Sequence, residues 1–269
     1  MPHTELHTRW QDQTPDGLAA LAAAGAVALW PLAAIEQHGE HLPLSTDLDI
    51  ALGLSAAALE QVRADVPVCV LPPLAVGMSL EHTRFPGTLS FSPQTALAVM
   101  TEIGESVARA GFRRLVLLNA HGGNRALVDL AALALRESRN MLVVRANYFM
   151  IAAPADALPE AELRHGLHGG ALETAMMLHL APQAVRLDRL PQARSLGEDM
   201  AEAGQVLGPE AEAGFAWMAE DLHPGGTTGD ARLASAALGE RLLRHYGSKL
   251  ARVIEESFDF ALSRLGHGD

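Results

Sequence analysis

The sequence predicts an α/β fold whose largely parallel sheet is covered by helices on both faces. Two observations carry this. Apolar runs of strand length recur at 26–32, 68–76, 113–120 and 141–149, and stretches with helical spacing or helix caps stand between them. Strands that are apolar on both faces and alternate with helices belong to a parallel sheet buried on either side.

Taken in order, Leu18–Ile35 carries no charge, but Gly25 and Pro31 interrupt it. It reads as a short helix ending near Gly25 and a buried strand from Ala26 to Leu32, not as a membrane span. Thr46–Ala64 has helical apolar spacing. The run VCVLPPLAV supplies a second strand. Ser92 and Pro93 suit the N-cap and first position of a helix that closes at Ala110, with Gly111 just past its end. RRLVLLNA and MLVVRANYF are the next two strands. From 152 to 224 the pattern loosens, apart from a helix over about Gly170–Leu180. Residues 229–265 are mostly helical in pattern. Without a low-complexity linker or internal repeat, the chain reads as one domain over 1–269.

Composition narrows the class. Of 269 residues 49% are hydrophobic and 19% charged, the balance of a packed globular protein. The single cysteine, Cys69, excludes an intrachain disulfide and suits the cytoplasm. Twenty basic against thirty-two acidic residues give 20 − 32 = −12, which argues against nucleic acid as a partner. The N-terminal stretch lacks the basic stub and apolar run of an export signal.

Three clusters carry chemistry. Directly after the first strand, EQHGEHLPLSTD offers Glu36 and His38, two residues apart and on one side if the backbone stays extended. Asp47 falls in the first turn of the following helix, where the helix dipole favours its charge. After the third strand, NAHGGN offers His121 with Gly122 and Gly123, which allow positive φ or close backbone approach. Both junctions lie at the carboxyl edge of a parallel sheet, so His121 and Glu36 can meet there. A glycine-rich phosphate loop is a weak rival, since the spacing fits neither GxxxxGK[ST] nor GxGxxG. The third cluster, HGLHGGALET, contains His168 and Glu173, about 140° apart on an ideal helix and so suited to different tasks. His168 belongs in the loop, and Glu173 is a lone acid in an apolar helix that needs a cation or a proton.

These segments, with EHTRFPGTLS and GGTTGDARLASAALGE, run in order over about 30–240 and together resemble the creatininase (creatinine amidohydrolase) family. The resemblance implies a three-layer α/β/α sandwich, a homo-oligomer that is commonly a hexamer built from dimers, and a dinuclear metal amidohydrolase. Position by position, it makes Glu36 and His121 ligands of one metal, His38 and Glu173 ligands of the other, and Asp47 the bridge. His168 matches the catalytic histidine, His82 lines the substrate pocket with Gly122 and Gly123, and Glu40, His41 and Asp49 support the ligands or the helix start.

Charge supports the grouping independently, because three carboxylates and one hydroxide sum to −4, which two divalent cations cancel. Nitrogen and oxygen ligands without thiolate suit zinc, manganese or iron. The expected reaction is attack of activated water on an amide carbonyl, with His168, titrating near neutrality, protonating the departing nitrogen.

Creatinine hydrolases of the family carry a glutamate where this chain has Gly123, and tryptophans around the substrate. Here Trp10, Trp30 and Trp217 all lie outside 140–170. The HGGN version resembles the broader branch, which includes deformylases and a peptidase, so the expected substrate is a cyclic amide, a formamide or a short peptide. Two other readings stay open at this point: a metal-dependent hydrolase or isomerase of a lactone or sugar-like substrate, and a binding module without turnover.

Overall fold

The computed structural model describes residues 7–266. Residues 1–6, part of the stretch read as lacking an export signal, lie outside it. The strands are β1 (His7–Arg9), β2 (Val27–Leu32), β3 (Val68–Val70), β4 (Arg114–Asn119) and β5 (Leu142–Asn147). They form a sheet of order β1-β3-β2-β4-β5 in which every pair is parallel. The helices are α1 (Pro15–Ala23), α2 (Thr46–Leu59), α3 (Pro93–Arg109), α4 (Arg125–Arg139), α5 (Glu160–His165), α6 (Ala171–Leu180), α7 (Leu196–Glu202), α8 (Ala219–Leu222) and α9 (Ala236–Asp259).

Alternation along the strands creates two cores and hence three layers. Val27, Leu29, Val68, Val116 and Leu118 face one side, where Ile50 and Leu54 of α2, Met176 of α6 and Leu242 and Tyr246 of α9 cover them. Ala28, Trp30, Leu32, Leu115 and Leu117 face the other, under Leu21 of α1, Met100 and Val107 of α3 and Leu127 and Leu135 of α4. The α/β/α sandwich is therefore what the chain builds. Trp30 is wholly inside this core and Trp10 packs on Phe112 at 5.3 Å.

Several boundaries agree with the sequence reading. The Ser92 side chain caps α3 by accepting from Thr95 N, and Gly111 follows its end with a φ of +95°. Others differ for identifiable reasons. The run at 68–76 is a strand only to Val70, because Pro72 and Pro73 have no N–H for the ladder, and a single bridge from Leu74 to Leu32 continues it. The helix begun at Thr46 stops at Leu59 instead of Ala64, as Gln61 N and Val62 N both turn back onto Ala58 O. Strand β1 was not legible, since His-Thr-Arg has no apolar run and takes its place by pairing with β3. Within 181–235 the chain forms two short α-helices, three single-turn 3-10 helices and small two-residue pairings, and Arg186 N bonds His41 O at 2.9 Å, laying this segment against the loop after β2.

Helix α9 approaches α6 so closely that a Cβ at Gly239 would run into the Ala175 carbonyl. Gly239→Ala should therefore destabilise the protein by about 1–3 kcal/mol through overpacking. A urea midpoint unchanged from wild type would show that the two helices are not held at this separation.

Candidate metal centre

Past the end of β2 the chain stays extended because Leu89 N bonds Ile35 O at 2.8 Å and Gln37 N bonds Thr88 Oγ1 at 3.1 Å. This sets Glu36 and His38 on one side, their side chains 4.0 Å apart at the nearest polar atoms. Asp47 enters from the first turn of α2, His121 from the end of β4, and Glu173 from the first turn of α6. All five converge at the carboxyl edge of the sheet.

Asp47 is the centre of the group. Its Oδ1 lies 3.2 Å from His38 Nε2 and its Oδ2 3.2 Å from His121 Nδ1. On one flank Glu36 Oε2 is 3.2 Å from His121 Nδ1, and on the other Glu173 Oε2 is 3.9 Å from His38 Nε2. Three sets, Glu36–Asp47–His121, His38–Asp47–Glu173 and Glu36–His38–His168, each bring ligand atoms within 4.8 Å of one another.

The histidines are aimed by one device. His38 Nδ1 bonds Glu36 O at 3.1 Å, His121 Nε2 bonds Met78 O at 2.9 Å, and His168 Nε2 bonds Gln37 O at 2.6 Å. A ring N–H donated to a backbone carbonyl leaves the other nitrogen's lone pair pointing at the carboxylates. His168 Nδ1 thus sits 3.6 Å from Glu36 Oε1. His82 reaches further in than a pocket-lining residue: it is buried, stacks on the His168 ring with centroids 4.0 Å apart, and places Nε2 3.5 Å from Glu36 Oε1.

Of the other expected residues, His41 is buried and holds the loop before α6 by bonding Gly169 O at 3.0 Å and Thr174 Oγ1 at 3.1 Å. Asp49 accepts from Ser45 Oγ at the start of α2. Glu40 is a correction: it is exposed and pairs with Arg189 at 3.2 Å, away from the ligands. Of the two conformations open to the glycines after His121, positive φ is corrected and close backbone approach holds at Gly123. Neither has a positive φ; Gly122 has open space around it, while Gly123 is needed for close packing against Met78 and His121. The site's left-handed glycines include Gly39, at φ +73°, and Gly169, at φ +65°, each with the Thr227 methyl where its Cβ would be.

Sequence reasoning missed Ser79, whose Oγ donates to Glu36 Oε2 at 2.5 Å, and Gln37, whose Nε2 donates to His82 Nδ1 and Gly226 O. It also missed Glu162, which accepts from Ala171 N and Asp230 N at 2.7 Å each and ties the His168 loop to the segment before α9. The proximity of Ser79 and Glu81 to His82 in one short segment was the available signal for the first of these.

The donor set fits divalent cations. Glu36 Oε1 and Asp47 Oδ2 are buried carboxylate oxygens with no hydrogen-bond partner, a costly arrangement unless a cation faces them. Protons otherwise stand in. Burial opposes charge on His38, yet Asp47, Glu173 and Glu36 outweigh it and raise its pKa to about 9, and His121 is raised in the same way. Burial pushes the Glu173 carboxyl up to about 7, while His38 and His121 hold Asp47 well below the usual carboxylate range against its own burial. Burial also drives His82 and His41 down to about 4, and with His82 and His38 beside it His168 falls well below its ordinary value. His168 is thus neutral at pH 7 and does not titrate near neutrality as the sequence suggested.

These shifts set the pH behaviour of the metal-free protein. Glu173 and His38 bind protons more tightly folded than unfolded, so stability falls as pH rises through about 4.5–7 and then 6.5–9. His82 and His41 do the opposite between about 4 and 6.5. Chelated protein should therefore lose Tm from pH 6.5 to 9, and added zinc should restore it with release of protons. A Tm flat across that window would contradict the protonated cluster.

Comparisons with known proteins identify the family and the fold. A family model described as creatinine amidohydrolase matches residues 11–254. The mycofactocin precursor peptide peptidase of Mycolicibacterium smegmatis is 35% identical over 217 residues, covering 80% of this chain and 78% of that protein. The creatinine amidohydrolase of Pseudomonas putida is 31% identical over 259 residues, covering 89% and 93%. A mutant creatininase structure of Zn-Zn type superposes with a TM-score of 0.75 at 29% identity, covering 94% of this chain and 98% of that one. A manganese creatininase gives 0.73 at 25%, covering 94% and 99%.

Proposed function

The chain belongs to the creatininase family, and from that premise we propose that it is a dinuclear-metal amidohydrolase that cleaves a C–N bond in a short peptide or another small amide. The observation that carries the reading is the division of Asp47 between His121 and His38, with Glu36 and Glu173 on the two flanks. In this reading Glu36 and His121 hold one ion, His38 and Glu173 the other, and Asp47 spans both. The ions are zinc, manganese or iron, the ligand set being nitrogen and oxygen without sulfur.

When bound, such ions supply Lewis acidity for the amide carbonyl and for a water nucleophile. The chain's own residues do the rest. Glu36, Asp47 and Glu173 supply the negative charge that retains the ions, and the carbonyls of Glu36 and Met78 keep His38 and His121 turned toward them. His168, with Nε2 tied to Gln37 O, keeps Nδ1 free to take the nucleophile's proton and hand it to the departing nitrogen. Its depressed basicity helps the second transfer, since a weakly basic imidazole gives up its proton readily. His82, stacked on the His168 ring, fixes its plane.

A peptide or open amide is favoured over creatinine by Gly123 and by the positions of Trp10 and Trp30, which lie in or against the core. No helix among the described residues is long and apolar enough to cross a membrane. We read the chain as a single cytoplasmic domain that assembles with copies of itself, as a hexamer in the family pattern; the exposed Leu130 and Leu133 of α4 suit such a contact.

The test begins with elemental analysis, for which about two ions per chain are expected, followed by a panel of creatinine, formamides, short peptides and lactones. His168→Ala should lower kcat by about 10²–10⁴-fold with metal retained. Loss of metal in that variant would make His168 a ligand, in line with its place in the third ligand set, and would end its assignment as the proton carrier. Asp47→Ala should abolish binding of both ions; retention of one would exclude the bridge.

A further inference from the structure

One acid stands beside the cluster without belonging to it. Glu81 lies in the turn Leu80–His82 that carries His82 into the site, and its side chain is 17% exposed. Its Oε1 is 3.7 Å from His121 Nε2. That nitrogen already donates to Met78 O, so its proton is not free for a carboxylate. Among the described residues no other cation approaches Glu81 within 4.0 Å, and no other residue donates a hydrogen bond to its carboxylate. Glu36, Asp47 and Glu173 are each engaged with His38 or His121, which leaves Glu81 as the uncommitted carboxylate.

The neighbouring chain makes room for it. A Cβ at Gly123 would meet Glu81 Oε1, and would lie 2.5 Å from both His121 Nε2 and Met78 O, so a side chain at 123 and the Glu81 carboxylate compete for the same volume. Gly122, next to it, is exposed with nothing packed over it. The carboxylate is therefore open to a ligand, and it lies about one imidazole width from the cluster, because His121 turns its other nitrogen toward Glu36 and Asp47.

Resting on the amidohydrolase reading, we propose that Glu81 is a specificity-determining residue that selects amide substrates bearing a cationic nitrogen, such as a free amino terminus, close to the bond to be cut. An ionised carboxylate is an acceptor only, with two oxygens to fill. Partly withdrawn from water, with the His121 ring 3.7 Å away and no hydrogen bond donated to it by another residue, it is satisfied best by a charged N–H donor, which forms shorter and stronger bonds than a neutral one. The same placement disfavours substrates that present a carboxylate or a bare carbonyl there, by repulsion and by leaving Glu81 unpaired.

The test uses zinc-loaded protein with alanyl-alanine and N-acetyl-alanyl-alanine, a pair that differs in the charge of the amino end. Binding is read by calorimetry and hydrolysis by release of amine. Wild type should bind the free-amine compound at least about tenfold more tightly, and Glu81→Gln, of the same shape but neutral, should remove that preference at unchanged zinc content. Glu81→Asp should retain part of it, and thermal unfolding reports that each variant is folded. The proposal is overturned by equal binding of the two compounds to wild type, by a preference that survives in Glu81→Gln, or by zinc loss in that variant, which would make Glu81 a ligand. A clear preference in binding with no hydrolysis of any compound in the wider panel would leave the recognition role standing and remove the amidohydrolase reading.

Discussion

Three carboxylates in one partly desolvated crevice are the constraint on which the site depends. Glu36 and Asp47 are 1% and 2% exposed and Glu173 stands beside them, so their mutual repulsion acts in a medium far less polar than water. Such a group survives folding only with cations, with protons, or with both. The chain keeps two buried histidines in place to take protons when nothing else is bound, and on the proposed reading both would return their lone pairs to a metal that displaced those protons. Neutralisation and ligation would thus be performed by the same atoms.

The fold supplies the convergence. A parallel sheet brings the ends of β2 and β4 together as hydrogen-bonded neighbours, so residues 36–38 and 121 emerge side by side although 121 − 36 = 85 positions separate Glu36 from His121 in the sequence. Helices α2 and α6 on one face begin at that same edge, and their amino ends favour negative side chains, which is where Asp47 and Glu173 sit. A row of uncharged contacts then holds the loops: Ser79 on Glu36, Gln37 on His82 and Gly226, His41 on Gly169. None of these can neutralise charge. They fix geometry, and the ionic groups do the electrostatic work.

Legibility in the sequence followed locality. The strands β2, β4 and β5 and helices α1, α3 and α6 announce themselves through apolar runs and caps, because both signals are confined to a few neighbouring residues. The candidate ligands were legible for a related reason, as each follows a strand or opens a helix and so must lie at the sheet's carboxyl edge. What was hidden depends on contacts across the chain. Nothing within His7–Arg9 signals a strand, since β3 makes it one. Ser79 and Glu162 look like ordinary loop and helix residues until Glu36 and the Ala171 N–H are brought to them. The conformation of Gly122 and Gly123 stayed open because a left-handed turn and close packing ask for the same residue, and only the surroundings of Gly123 separate them.

The four histidines of the site show how one side chain is divided into two kinds. Through a single nitrogen His38 faces three carboxylates and His121 two, and attraction overcomes the cost of burying a charge. His82 and His168 stack face to face, and each has one carboxylate oxygen at 3.5–3.6 Å, the same Glu36 Oε1. One shared oxygen cannot hold two protonated rings whose centroids are 4.0 Å apart, so burial wins and both stay neutral. The split does not come from how the rings are anchored, since His38, His121 and His168 all donate to a backbone carbonyl. It comes from the number of carboxylate oxygens each lone pair meets. A neutral imidazole with a free lone pair is what proton transfer requires, and this arrangement obtains one within reach of a strongly acidic cluster by making the stacked pair compete for a single acceptor.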